Sequence, residues 1–214
     1  MPRSLAAAAI FSIAEALKQK GNRVLYFGAY KKKQDLYKRK DIERSTDLVI
    51  WSVDEGDLIE PRRPQDRSFR GNIVQAIDAY GSGALGEPAI PLADVDHLIA
   101  IGSDGMMNAV GQARHGVLAG RLKPQHKAIG SINSPMQCMM KEICAQCLQT
   151  HKDPISGVES VVFSCFNQDQ EMDQVDFPAL RRRLSQNGAQ EKLTKLWIDR
   201  CLHHLGERPA MAAE

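Results

Sequence analysis

Short apolar runs of strand length alternate with stretches of helical periodicity through the first 134 residues. Leu5, Ala9, Ile10, Ile13, Ala16 and Leu17 recur every three to four positions, with Glu15, Lys18 and Lys20 on the polar side and Gly21-Asn22 as a stop, so a helix is expected over 5–20. A strand follows over 23–28, a helix over 33–44 and a strand over 47–54. Then come a helix over 72–79, a Gly/Pro-rich loop over 81–91, a strand over 97–102, a helix over 106–122 and a short strand over 127–132. Apolar runs that each lead into a helix describe an α/β fold with a doubly wound parallel sheet, because strands buried on both faces read as continuous hydrophobic stretches. Ligands of such sheets sit at the carboxyl ends of the strands, which directs attention to Gly28, Asp54 and the segment from Gly102 to Met107.

One element of that architecture is missing. A dinucleotide-binding sheet opens with a strand and a glycine-rich turn that holds the pyrophosphate at a helix N-terminus. Here the pattern begins at the helix that should follow that turn, with Pro2 and Ser4 suited to start or cap it and no glycine before Gly21. The absent first strand belongs in the middle of the usual strand order, so its absence leaves two strand edges open to other backbone. At the far end, Leu193, Leu196, Trp197, Cys201 and Leu205 form an apolar stripe on a helix over 190–205, and a stripe of that size should be covered by this chain or by a partner.

Composition narrows the picture only slightly. With 214 residues, a net charge of +2 and 25% charged residues, the chain has room for one ordinary domain and a small appendage, with no strong bias toward an acidic or basic partner. There is no apolar run long enough to span a bilayer. Arg3 followed by the apolar run from Leu5 to Ile13 imitates a secretory signal, but the helical spacing and a cluster of thiols suited to a reducing compartment favour a cytoplasmic location. Tyr30-Lys-Lys-Lys33 with Lys38-Arg39-Lys40 interleaves an aromatic ring with positive charge, as nucleic-acid binders do. Asp35, Asp41 and Glu43 dilute that charge, so the segment reads as a solvated face, and neither nucleic acid nor membrane is expected as a partner.

The cysteines carry the chemistry. Cys138, Cys144, Cys147 and Cys165 follow a C-x5-C-x2-C-x17-C spacing, while Cys201 stands apart and reads as packing. Three thiolates on one loop and a fourth further along are what a [2Fe-2S] cluster takes, and this loop is one residue longer than the plant-type C-x4-C-x2-C arrangement. A structural zinc site also takes four soft ligands, usually as two separated C-x2-C pairs. Only Cys144 to Cys147 makes such a pair, although His151 is close enough in sequence to complete one. Buried cysteines without metal are the third reading. Among His115, His126, His203 and His204 no metal-binding pairing stands out.

Gly102-Ser-Asp-Gly-Met-Met107 at a strand-to-helix turn, the cysteine loop after it, Phe163-Ser-Cys165 and Val175-Asp-Phe-Pro-Ala-Leu180 together resemble the ferredoxin-reductase superfamily. More narrowly, they are similar to the electron-transfer subunit of dihydroorotate dehydrogenase B and the small subunit of NADH-dependent ferredoxin:NADP oxidoreductase. The resemblance runs over about residues 5–184 and implies the NAD-binding and [2Fe-2S] parts of that family without its FAD-binding barrel. It implies nucleotide contacts at Gly28, Asp54, Gly102, Asp104, Gly105, Met106 and Met107, and cluster ligation by Cys138, Cys144, Cys147 and Cys165. Ile101 and Ser103 depart from the family's usual Cys and Pro, and Met139-Met-Lys-Glu-Ile143 replaces a shorter glycine-containing loop. Asp54 and Glu55 would repel a 2′-phosphate, which favours NADH over NADPH.

The resulting expectation divides the chain into an N-terminally truncated NAD-binding-type domain (1–134), a [2Fe-2S] domain (135–178) and a helical tail (179–214). The expected function is an electron-transfer module of a flavin-dependent NAD(P)H oxidoreductase, with NAD(H) bound in the complete complex. FAD would be held by a missing domain or subunit, and a partner oxidoreductase subunit would receive the electrons. The isolated chain is expected to be inactive. The alternative is a zinc-stapled α/β interaction module without redox activity.

Overall fold

A computed structural model of the protein describes residues 5–132, 147–167, 169–186 and 188–206. The chain is a mixed α/β structure. In order it forms α1 (Leu5–Gln19), β1 (Leu25–Tyr30), α2 (Arg39–Ser45), β2 (Leu48–Val53), β3 (Arg67–Arg70) and α3 (Ile73–Gly81). These lead to β4 (His97–Ile101), α4 (Asp104–His115), β5 (Lys127–Ser131), β6 (Leu148–Lys152), β7 (Glu159–Phe163), β8 (Asp169–Glu171), α5 (Phe177–Gln186) and α6 (Gly188–His204).

Where a single sheet is expected from the sequence, the described strands form three hydrogen-bonded groups. The first is an all-parallel sheet ordered β1-β2-β3, the second is ordered β4-β5-β8 with β8 antiparallel, and the third is the β6-β7 hairpin. Every residue of β2 is buried, as expected of a run that is apolar at every position but Ser52. Leu48 and Ile50 pack on Ala76, Ile77 and Tyr80 of α3, while Val49, Trp51 and Val53 pack on Ile42 of α2, so the first sheet carries helices on both faces. A third core joins Ala100 of β4 and Ala128 of β5 to Met107 of α4, Met172, Val175, and Phe177 and Leu180 of α5.

Local chemistry explains the boundaries that differ from the sequence reading. Lys38 adopts a left-handed φ of 50°, which breaks the expected helix over 33–44 into a single 3₁₀ turn (Lys33–Asp35) and the shorter α2. α3 begins at a reciprocal cap in which Asn72 Oδ1 accepts from the N–H of Gln75 and Gln75 Oε1 accepts from the N–H of Asn72, both at 3.0 Å. α4 starts two residues earlier than expected because Ser103 Oγ accepts from the Met106 amide at 3.2 Å. The same helix ends at Gly116, well short of Leu122; Leu118 and Leu122 still reach the core from the turns that follow.

The strand β3 has no counterpart in the sequence reading. It is placed by Asp66, which is 2% exposed: Asp66 Oδ1 accepts from the amide of Val49 at 3.0 Å and both carboxylate oxygens accept from Arg63. Arg63 in turn donates to the carbonyl of Thr46 at 2.8 Å, locking the loop before β3 to the start of β2. Among the described residues no helix is long and apolar enough to cross a membrane.

Candidate functional site: the cysteine end of the hairpin

The β6-β7 hairpin is built from a sequence that looks polar. Gln149 and His151 face inward from β6, the face that Cys147 also takes just before the strand, and all three are buried. The hairpin turn is held by Asp153, whose Oδ1 accepts from the amides of Ile155 and Ser156 and from the Ser156 hydroxyl. Those bonds, chiefly from Ser156, hold the Asp153 carboxyl below its usual range. On its other side β6 meets the segment before α5, through Lys152 N–H to Gln174 O at 2.7 Å and Asp176 N–H to Thr150 O at 3.1 Å.

At the open end of this hairpin the register pairs Leu148 with Phe163, and the Ser164 amide donates to the carbonyl of Cys147 at 3.1 Å. Cys147 and Cys165 therefore emerge at the same end of the same two-stranded unit, although 17 residues separate them in sequence. Cys147 is buried and Cys165 is half-buried. Cys138 and Cys144, the other two expected ligands, lie outside the described residues. Among the described residues no three His, Cys, Asp or Glu side chains converge as a metal-binding group.

Behind the two cysteines lies a network for which the sequence gives no signal. Gln170 Oε1 accepts from Gln149 Nε2 and meets His151 Nε2 at 2.6 Å. Gln149 Oε1 accepts from the Ser164 hydroxyl at 2.9 Å, and Gln170 Nε2 donates to the carbonyl of Asn167 at 2.7 Å. All four side chains are buried, so each depends on the others to replace lost water. His151, whose proximity in sequence suggested a substitute ligand, has its Nε2 committed to this network.

A second polar cluster ties the hairpin region to the α/β core. Arg114 of α4 is 4% exposed and donates to both carboxylate oxygens of Asp173, at 2.9 and 3.4 Å, and through Nε to His126 Nε2 at 2.7 Å. His126 Nδ1 meets the carbonyl of Lys123 at 2.6 Å, so the ring is bonded on both sides. His115 also bonds Asp173, at 2.8 Å. Partial burial raises the Asp173 pKa, but the hydrogen bonds and charges of His115 and Arg114 outweigh it and leave the carboxyl below its usual range.

The expected nucleotide contacts fall at several places. Gly28 lies inside β1 rather than at its end: the strand continues to Tyr30, and a Cβ at Gly28 would meet the rings of Tyr26 at 3.0 Å and Tyr30 at 3.1 Å. Asp54 and Glu55 follow β2 as exposed residues; their amides donate to the carbonyls of Tyr30 and Lys31 at 3.0 Å, and Lys31 pairs with Glu55 at 3.8 Å. Gly102 follows β4 with the Met106 methyl lying against it. Asp104 and Gly105 form the first turn of α4, Met106 is half-buried, and Met107 is a buried core residue beside Ala100 and Ala128.

A stretch of 64 residues is 44% identical to an uncharacterized protein of Rickettsia prowazekii (strain Madrid E), covering 30% of this chain and 8% of that protein's length. No family model matches the chain.

Proposed function

We propose that the chain is the electron-transfer module of a flavin-dependent NAD(P)H oxidoreductase, in which Cys138, Cys144, Cys147 and Cys165 hold a [2Fe-2S] cluster. The observation that carries this reading is the placement of Cys147 and Cys165 at one end of the β6-β7 hairpin, fixed by the Ser164-to-Cys147 backbone bond. Two thiolates on adjacent backbone, one entering β6 and one leaving β7, suit a soft metal group, and the C-x5-C-x2-C spacing supplies the remaining donors.

A bound cluster would supply one-electron storage and transfer. The protein's own residues supply the holder and its surroundings. The four thiolates would bind iron; the Gln149, Gln170 and Ser164 network fixes the hairpin strands behind Cys147, and its burial excludes bulk water from that side. The remaining α/β part is read as a doubly wound nucleotide-binding sheet that lacks its first strand. Helices on both faces of β2 and the Ser103 cap at the turn after β4 support that reading. A nicotinamide delivers two electrons as hydride while such a cluster takes one at a time, so a flavin held by another domain or subunit must stand between them. The carboxylates of Asp54 and Glu55 favour NADH over NADPH in that complex.

An absorption spectrum and an iron and zinc assay on anaerobically isolated protein test the proposal. A red-brown protein with iron supports it. A colourless protein holding about one zinc per chain replaces it with a zinc-stapled interaction module, and a colourless protein without metal leaves buried cysteines only.

A further inference from the structure

The helix α6 is apolar on two sides. Ile198, Cys201 and Leu202 lie on one of them at the spacing i, i+3, i+4; Cys201 and Leu202 are half-buried there, and the helix packs on α5. Leu193, Leu196 and Trp197 repeat the same spacing on another side, where they are 68%, 62% and 67% exposed. A helix with a single apolar stripe needs one neighbour, whereas this one needs two. Among the described residues the second neighbour is not supplied.

Charge around that open side has one sign. The span 177–206 holds six Lys and Arg residues and only two carboxylates, Glu191 and Asp199, in a chain whose net charge is +2. Arg181, Arg182, Lys192, Lys195 and Arg200 are exposed, and none of the five side chains makes an ion pair with another described residue. In the α/β part, by contrast, Arg39, Arg63, Arg114, Arg121 and Lys123 all pair with carboxylates. Two of the unpaired cations belong to the open side itself. Arg200 comes seven positions after Leu193 and so falls within it, and Lys192, four before Leu196, borders it.

We propose that this side of α6 docks an acidic amphipathic helix of a partner protein. The partner helix carries Leu or Ile at i, i+3, i+4 and i+7 against Leu193, Leu196 and Trp197, with Glu or Asp beside that stripe to pair with Arg200 and Lys192. A ridge of this spacing fits the groove between the ridges of another helix. The unpaired cations fix the sign of the charge beside it. A second copy of this chain does not match, because a two-fold contact sets the patch against itself and gathers the cations of both copies at one seam. Docking needs no metal, so it is independent of the cluster assignment and survives its failure.

Tryptophan emission of the full chain reads the docking, because Trp51 is 0% exposed and Trp197 is the chain's other tryptophan. The probe is a tryptophan-free helical peptide of about 18 residues with Leu at i, i+3, i+4 and i+7 and Glu beside that stripe. It should shift the emission to the blue saturably, bind more weakly as salt is added, and bind Arg200→Glu about tenfold more weakly. Leu196→Asp should abolish the shift. Both side chains are exposed, so both variants should keep the wild-type urea midpoint, which separates lost docking from lost folding. The same peptide with Lys in place of Glu should leave the emission unchanged. The proposal is overturned if the Glu peptide causes no shift, if the Lys peptide causes an equal one, or if Leu196→Asp binds as well as wild type. A blue shift that grows with the concentration of the chain alone would overturn it by assigning the face to a second copy. Phosphatidylglycerol vesicles that shift the emission where the Glu peptide does not would overturn it in favour of an anionic bilayer.

Discussion

The amide of Ser164 donates to the carbonyl of Cys147 at 3.1 Å, one step beyond the last ladder pair of the β6-β7 hairpin, and this bond fixes where Cys165 leaves the strand. The side chain of the same serine donates to Gln149. One residue therefore links the cysteine end of the hairpin to the buried amide network behind it. Replacing Gln170 with leucine would strand Gln149 Nε2 and His151 Nε2 without their shared acceptor in a dry site. The expected cost is about 2–4 kcal/mol in urea unfolding, with weaker metal retention. Unchanged stability and metal content would show that the network does not support the site.

Asp173 gives the fold an acid-sensitive link. Its folded pKa lies below the ordinary carboxylate value, so its contribution is fully present above the unfolded pKa and is lost as pH falls through the folded one. Wild type should therefore exceed Asp173→Asn in urea midpoint near neutrality, and the gap should close below about pH 4, where carboxylates begin to protonate. A gap that stays constant down to pH 2.5 or so would mean that the carboxylate charge is not what Arg114 and His115 use.

Gly28 is a packing glycine in this structure. A Gly28→Val change drives a branched side chain into the rings of Tyr26, Tyr30 and Trp51, the last 0% exposed, and should cost about 1–3 kcal/mol by thermal or urea unfolding. Tolerance of valine without loss would indicate that the aromatic cluster has room to move.

Much of the first half of the fold was legible because its signals are local. The run Leu48-Val-Ile-Trp-Ser-Val53 has the continuous apolar character of a strand buried on both faces, and the helix-to-strand alternation around it follows. β3 was invisible since two of its four residues are arginines and it is placed by the carboxylate of Asp66. β6 was missed for a related reason: Leu148-Gln-Thr-His-Lys152 buries polar side chains, which only the distant Gln170 makes affordable. The cysteine spacing was plain in the sequence, but the juxtaposition of Cys147 and Cys165 required the hairpin, and that of Arg114 and Asp173 spans 59 residues with no periodic signal.

The apolar stripe of the tail, expected to be covered by this chain or by a partner, is not covered by the described residues of this chain. Leu193, Leu196, Trp197 and Leu205 are all more than 60% exposed on or just after α6, and Cys201 is half-buried. Trp197→Ala should accordingly change the unfolding free energy of the isolated chain by no more than about 0.5 kcal/mol. A loss several times larger would place this face against the protein's own core.

Electron paramagnetic resonance of the anaerobically isolated, dithionite-reduced chain tests the central assignment most directly, because a reduced [2Fe-2S] centre holds one unpaired spin. The account predicts about one spin and about two iron atoms per chain, lost or strongly altered in Cys165→Ser and retained in Cys201→Ser. A chain without that signal, or one whose signal is unchanged in Cys165→Ser, would contradict it.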